Sequence, residues 1–324
     1  MLFARPSRRN AGLLLVAAVI LLAAGSDARA TKYAGEPYNL GVGARALGRG
    51  GAFVASRPDA SSIYWNVASL AVLERAQVLA QHAETFGSLL NHDIVAFAAP
   101  AADSGAWAWG AYATYLGGGG IQITEIDTLR GRPSVTSEES HSDWSVAFGL
   151  ARKSNRWWHW GAAVKAVVRN LPGNSAYGLG ADFALYGQGR GWRAGIKAAD
   201  ITTTFLSFDS GRKETITPHV NWGAEADLPR LARDVTGVVT FEAETYFEGR
   251  KTGAQFWSGP VSVDLHVGGE VAYRDLLFAR AGSDAGRLAL GAGFRLGNWS
   301  VDAALADHEF LDNSYRVSVR YVIH

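Results

Sequence analysis

The chain has 324 residues, 31 Lys and Arg against 30 Asp and Glu, and a formal net charge of +1, so no excess of positive charge points to nucleic acid. It has no cysteine, which excludes disulfides, thiolate catalysis and cysteine–metal centres. Hydrophobic residues make up 48% yet are dispersed, and 38 Gly and 11 Trp stand against a single Met, a composition suited to an all-β protein with aromatic girdles.

The first segment reads as an export signal. Arg5, Arg8 and Arg9 precede an apolar run over 13–24, and Ala28-Arg29-Ala30 puts small residues where a signal peptidase inspects the chain. About a dozen apolar residues fall short of the ~20 that a spanning helix needs, so residues 1–30 are expected to be cleaved. No later stretch is long and apolar enough for a membrane helix. If the protein lies in a membrane, strands must carry it.

Residues 31–76 are loop-rich, with Gly41, Gly43, Gly48, Gly50 and Gly51, and Asp59 or Ser61 can cap a short helix running to Leu70. This segment is too irregular for strands and is expected to form a plug, or hatch, inside a barrel.

From residue 77 on, apolar and polar residues alternate with period 2, as they must when alternate side chains point to opposite faces of a strand. Trp144, Val146, Phe148 and Leu150 alternate with Asp143, Ser145, Ala147, Gly149 and Ala151. Trp158, Trp160, Ala162, Val164, Ala166 and Val168 oppose His159, Lys165 and Arg169. Val261, Val263, Leu265 and Val267 oppose Ser262, Asp264 and His266. Leu288, Leu290, Ala292, Phe294 and Leu296 oppose Arg287, Gly291, Gly293 and Arg295, and Trp299, Val301, Ala303 and Leu305 oppose Ser300, Asp302 and Ala304. The chain ends on Tyr315, Val317, Val319, Tyr321 and Ile323 alternating with Arg316, Ser318 and Arg320.

About fourteen such segments are expected. They start near Gln77, His92, Ala106, Ser142, Trp158, Tyr177, Gly191, Thr217, Val235, Val261, Leu276, Arg287, Trp299 and Asn313. Lengths of ~8–11 residues at ~3.3 Å each and a ~40° tilt match an apolar band of ~25 Å. The longest gaps, 116–141, 199–216 and 246–260, fall after odd-numbered strands, and the shortest, 188–190, 273–275 and 297–298, after even-numbered ones. Long external loops and short periplasmic turns are the pattern of outer-membrane barrels. The expected fold is therefore an all-β transmembrane antiparallel barrel over 77–324, in the bacterial outer membrane with its lipid as a partner, its last strand closing on its first.

The inward residues carry both charge signs. Lys165, Arg169, Arg287, Arg295, Arg316 and Arg320 face Glu242, Glu244, Asp264, His266 and Glu270 across one lumen. Such a mixture suits a salt-bridged interior that anchors the hatch, or a plainly solvated lumen. No catalytic, cofactor or metal constellation emerges. The glycines at 41–51 lack dinucleotide-binding spacing, 117–120 lacks the Lys-Ser/Thr of a phosphate loop, and GxSxG and HExxH are absent. Asp307, His308, Glu309 and Asp312 read as a solvated external turn rather than a cation site.

One stretch carries a family resemblance. Gly43-Ala44-Arg45-Ala46-Leu47-Gly48-Arg49-Gly50-Gly51-Ala52-Phe53 is followed by Asp59-Ala60-Ser61-Ser62-Ile63-Tyr64-Trp65-Asn66-Val67-Ala68-Ser69-Leu70. This resembles the N-terminal signature of the PorV/PorQ family in the FadL-like outer-membrane superfamily, with support from 165–169, 178–185, 195–200, 266–281 and 291–294. Two positions depart from the pattern: Val67 stands where the family has Pro, and the chain ends in His324 rather than an aromatic residue. The resemblance implies a fourteen-stranded, non-enzymatic barrel with an N-terminal hatch. Its motif residues Arg45, Gly48, Gly51, Phe53, Asp59, Ala60, Ser61, Tyr64, Trp65, Asn66 and Leu70 would form the plug or ligand region. Two functions follow. The barrel could pass a hydrophobic small molecule, which predicts an apolar cavity near Phe53, Ile63, Tyr64, Trp65 and Leu70. Alternatively it could dock exported proteins as a type IX secretion component, which predicts a sealed polar lumen and working external loops.

Overall fold

The computed structural model describes residues 34–101, 105–127, 131–307 and 313–323. The expected signal peptide and His324 lie outside them, as do His308, Glu309 and Asp312.

One antiparallel sheet closes on itself. Its strands are β1 (Gln77–Thr85), β2 (Leu90–Pro100), β3 (Trp107–Asp127), β4 (Arg132–Lys153), β5 (Trp158–Leu171), β6 (Asn174–Gly189), β7 (Trp192–Ala199), β8 (Thr204–Phe208), β9 (Lys213–Ile216), β10 (His219–Asp227), β11 (Val235–Tyr246), β12 (Phe256–Ser258), β13 (Val261–Tyr273), β14 (Leu277–Asp284), β15 (Arg287–Leu296), β16 (Trp299–Ala306) and β17 (Ser314–Val322). The wall runs β1 to β7, then β10, β11 and β13 to β17, which is the expected fourteen strands. Closure is by β1 on β17, from Gln77 opposite Val322 to Glu84 opposite Tyr315.

The period-2 reading sets the wall's orientation. Trp144, Val146, Phe148 and Leu150 are exposed on the outer face, while Asp143, Ser145, Ala147 and Ala151 are buried inside. On β17, Tyr315 and Val317 are each more than half exposed, whereas Arg316, Ser318 and Arg320 are buried. A belt of exposed apolar side chains around a closed sheet is stable only when lipid rather than water covers it. Closure also removes the unpaired edges that a bilayer cannot solvate.

The connections differ from expectation in three places. The gap 116–141 is mostly strand: β3 and β4 continue past the barrel rim and pair with each other out to Asp127 opposite Arg132. Ile121, Ile123, Thr124, Val135 and Thr136 favour a pleated backbone, and the intervening Glu and Ser residues disguise the ribbon as loop. The gap 199–216 contains the hairpin β8–β9. Because β8 pairs with β6, this hairpin prolongs the wall beyond a break at 200–203, where Asp200 and Thr203 have φ of 53° and 56°. Finally, tight turns occur at both ends, since Pro172-Gly173 and Ala285-Gly286 join strands at the long-loop end.

Residues 34–76 lie within the barrel. They form short 3-10 turns at Glu36–Tyr38 and Val67–Val72 and single helical turns at Ala44–Leu47 and Ser62–Trp65. The helix expected to reach Leu70 is broken at Asn66, whose backbone is extended (φ −160°, ψ 95°). The segment begins at the long-loop end, where Ala34 packs with Val167, Leu206, Phe208 and Ile216. It leaves at the short-turn end, where Leu73, Glu74 and Arg75 approach Gln188 and Gly189 before β1 starts. Between these points Val42, Ile63, Val67 and Leu70 share one buried core with Ile94, Ala96, Tyr112 and Tyr186 of the wall.

Candidate functional site: the seat of the N-terminal segment in the lumen

The inner wall is built to let backbone touch backbone. A Cβ added to Gly268 on β13 would lie 2.2 Å from the Arg49 carbonyl oxygen, and one on Gly282 of β14 would lie 2.4 Å from the Arg49 carbonyl carbon. These two glycines are cross-strand partners, so together they make a flat seat. Gly195, paired with Gly223, does the same under Val54, where an added Cβ would sit 2.1 Å from the carbonyl oxygen. Gly161 meets Ala68 within 3 Å. These wall glycines therefore have a packing cause, the close approach of a second backbone.

Polar groups fix the segment on this seat. Glu242 is 1% exposed; its Oε2 accepts from the backbone N–H of both Phe53 and Val54 at 2.8 Å, and its Oε1 accepts from Asn221 Nδ2 at 2.9 Å. Arg49, fully buried, donates from Nη1 to Glu225 Oε2 at 2.8 Å and from Nη2 to Ser56 Oγ at 2.8 Å. Glu225 is held from the other side by Arg193 at 2.7 Å. Lys197 Nζ donates to the Tyr64 carbonyl at 2.7 Å, and Gly43 N–H donates to Gln81 Oε1 at 2.7 Å.

The motif residues mostly organise the segment itself. Asp59 Oδ1 accepts from Ser61 N and Ser61 Oγ, while its Oδ2 pairs with Arg45 at 3.0 Å and lies 3.9 Å from Arg320. Burial pushes the Asp59 carboxyl up, but Arg45, Arg320 and the Ser61 donors outweigh that, so it lies below the ordinary carboxylate range. Arg45 also reaches Glu270 at 3.7 Å. Tyr64 Oη donates to the Tyr38 carbonyl, and Trp65 Nε1 donates to that of Val42. Ala60 is fully buried, and Gly48 abuts Gly291 of β15.

Asn66 spans segment and wall. Its Oδ1 accepts from Ala68 N, capping the 3-10 turn, and its Nδ2 donates to the carbonyls of Val54 (2.8 Å) and Leu185 (3.0 Å). Asn66→Ala would remove the donor to the buried Val54 carbonyl and uncap the 3-10 turn, a loss of roughly 2 kcal/mol. Trypsin cleavage after the buried Arg49 in the folded barrel is then expected to run roughly thirtyfold faster, because access requires local release of the segment.

The inward charges divide. Glu242, Glu270, His266, Arg169 and Arg320 touch the segment; His266 Nδ1 lies 3.1 Å from the Gly50 carbonyl and Arg169 Nη2 donates to that of Ala34. Others pair within the wall. Lys165 bridges Asp182 (3.0 Å) and Asp200 (2.9 Å), and Asp264 accepts from Gln255 N–H. Glu244 accepts from Tyr246 Oη. Arg295 and Arg316 have no carboxylate within 4 Å among the described residues. Glu225, Arg193, Lys197 and Asn221 were not singled out from the sequence. Glu225 and Arg193 sit at inward positions of β10 and β7, so the alternation alone could have found them.

Between segment and wall lies a cavity of about 60 Å³, lined by Asn39, Leu40, Gly41, Leu47, Gly51, Tyr64, Trp65, Lys197, His219, Asn221, Glu242, Glu244, His266 and Asp284. It is polar, where the transport reading expects an apolar cavity and the secretion reading a polar lumen, because the β10, β11 and β13 faces present carboxylates, an amide and imidazoles there. Of the residues expected to line an apolar site, Phe53, Ile63 and Leu70 are packed away in the core. The aromatic rings still form a connected chain: Phe53 to Trp65 is 6.0 Å, Trp65 to Tyr64 5.2 Å and Tyr64 to Tyr112 5.8 Å between centroids.

No protein-family model and no curated protein matches this chain. Solved structures do. The toluene transporter TbuX of Ralstonia pickettii superposes with a TM-score of 0.57 at 15% identity, over 89% of this chain and 100% of that one. A deltaS2S3 mutant of the monoaromatic hydrocarbon channel TodX gives 0.53 at 12%, over 87% and 98%. A Pseudomonas aeruginosa FadL homologue gives 0.51 at 11%, over 87% and 98%. The chain thus shares the barrel fold of these structures, the first two of which are named as a transporter and a channel.

Proposed function

We propose that this barrel is an outer-membrane transporter of hydrophobic compounds, and that within the FadL-like fold it is of the PorV/PorQ type. The observation that carries the reading is how residues 34–76 occupy the lumen. They are seated on glycines and held by exchangeable hydrogen bonds and ion pairs, in a chain with no cysteine to fix them covalently. A plug held this way can shift without unfolding the wall, whose ladder closes independently of it. The likeness to TbuX and TodX supports a hydrophobic cargo. The motif shared with the PorV/PorQ type supports the finer placement, since Arg45, Asp59 and Asn66 are the residues that shape the plug.

The resting lumen is closed. Cargo enters at the long-loop end and moves along Phe53, Trp65, Tyr64 and Tyr112 once the segment withdraws from the β10–β13 wall. The polar cavity beside Tyr64 and Trp65 supplies the water that replaces the broken contacts.

The test pairs two measurements on the full chain. In planar bilayers the intact protein is expected to conduct little, and a variant lacking residues 34–75 to conduct as an open pore. In a Gram-negative host without a hydrocarbon channel, expression is expected to speed uptake of a labelled monoaromatic hydrocarbon at limiting concentration. Unchanged uptake would overturn the cargo assignment, and an intact protein as conductive as the deletion would overturn the plug.

A further inference from the structure

At the short-turn end the lumen opens into a second cavity, of about 200 Å³, whose charges are not balanced. Arg45, Arg57, Arg280, Arg295 and Arg320 line it against Glu270 and Asp302, with Ser300 and Phe278 completing the wall. We propose that this cavity binds a phosphate group.

Tracing the ion pairs shows where the excess lies. On one side Arg45, Arg280 and Arg320 are matched by Asp59, Glu270 and Asp302. Arg295 stands beside this set with no carboxylate within 4 Å among the described residues; its guanidinium lies 5.2 Å from the centre of the Phe278 ring. On the other side Arg49, Arg57 and Arg193 share only Glu225 and Asp227. Each side carries one guanidinium more than it has carboxylates, and the cavity lies between them.

The geometry of the donors favours a tetrahedral oxyanion. Arg295 comes from β15, close to the turn at 297–298, and Arg320 from the end of β17, while Arg57 reaches in from the segment and is 63% exposed at its side chain. Arg320 is only loosely matched: its distance to Asp59 is 3.9 Å, and its Nη2 donates to Ser300 Oγ at 3.1 Å. Guanidinium forks arriving from strands and segment suit a group with several acceptor oxygens pointing apart, as phosphate has. The volume equals roughly seven waters at ~30 Å³ each, enough for the anion and part of its hydration shell. Arg295 is only partly exposed, and an uncompensated guanidinium that has lost part of its hydration is costly, a cost an anion offsets.

Arg295→Gln is the informative variant, because it breaks no ion pair and leaves the wall intact. With the full chain in detergent micelles, ³¹P line broadening of inorganic phosphate is expected to saturate. Arg295→Gln is expected to weaken that binding at least tenfold, and Arg212→Gln at the opposite end to leave it unchanged. In parallel, nanodiscs containing phosphatidic acid are compared with nanodiscs of phosphatidylcholine alone. Arg295-dependent binding of free phosphate supports a soluble phosphate ligand; Arg295-dependent broadening of phosphatidic acid alone supports a lipid headgroup. Saturable binding in neither arm, or equal binding by wild type and Arg295→Gln, overturns the proposal.

Discussion

Replacing Gly282 with valine is expected to unseat the N-terminal segment and leave the barrel standing. The added Cβ would lie 2.4 Å from the Arg49 carbonyl carbon and 2.7 Å from the Gly50 nitrogen. Both are backbone atoms, so no rotamer change relieves the clash. Gly50 cannot easily retreat, since its φ of +69° commits the turn to a left-handed conformation. Overpacking usually costs ~1–3 kcal/mol, and contact with rigid backbone places this case at the upper end. The strand itself loses nothing, because valine suits a pleated backbone better than glycine does. Trypsin cleavage after Arg49 should therefore rise by roughly a hundredfold, in line with ~3 kcal/mol, and single-channel conductance should appear. Gly119→Ala is the control, since nothing lies within 4 Å of that position. A Gly282→Val protein that stays silent and protected would show that the segment is not held by this seat.

Arg49→Met is expected to have a comparable effect by a different route. Arg49 is fully buried and joins a segment to a strand 176 residues away through Glu225. Removing one member of a buried pair commonly costs about 3–5 kcal/mol, because the remaining charge is left unmatched. Here Arg193 stays on Glu225 at 2.7 Å, which places the expected loss near 3 kcal/mol. Ser56 also loses its donor, and the guanidinium that lies 4.9 Å from the Phe53 ring centre is gone. The measurable consequence is faster hydrogen exchange at the Phe53 and Val54 amides, which are otherwise locked onto Glu242. Combining Arg49→Met with Glu225→Gln should destabilise less than the sum of the two changes, because the two residues share one interaction. Strict additivity would show that Arg49 acts through something other than the pair.

The two variants separate shape from charge. Gly282 contributes no side chain and works by leaving room, whereas Arg49 works by filling the space with a matched charge. Both act on the same short stretch, 49–54, where the segment crosses the β10–β15 face of the lumen. That stretch is where opening by the proposed route must begin.

The wall was legible in the amino-acid sequence. Alternation is a local property of an extended backbone, so every apolar–polar pair from Trp144 to Ile323 could be assigned to lipid or lumen without knowing its neighbours. Count and closure followed from the same period. The ribbon over 118–141 escaped because it stands clear of lipid, where neither face need be apolar and the period carries no hydrophobic signal. Which inward charges meet was settled by the folded arrangement. Glu242 on Phe53 and Val54, Lys165 on Asp182 and Asp200, and Arg295 on no carboxylate all look alike in sequence, as one polar residue at an inward position. Their partners depend on cross-strand register and on where an irregular segment lies inside the closed wall. Those are sums over long-range contacts that no local pattern encodes, and they make the lumen a seat for its own N-terminus.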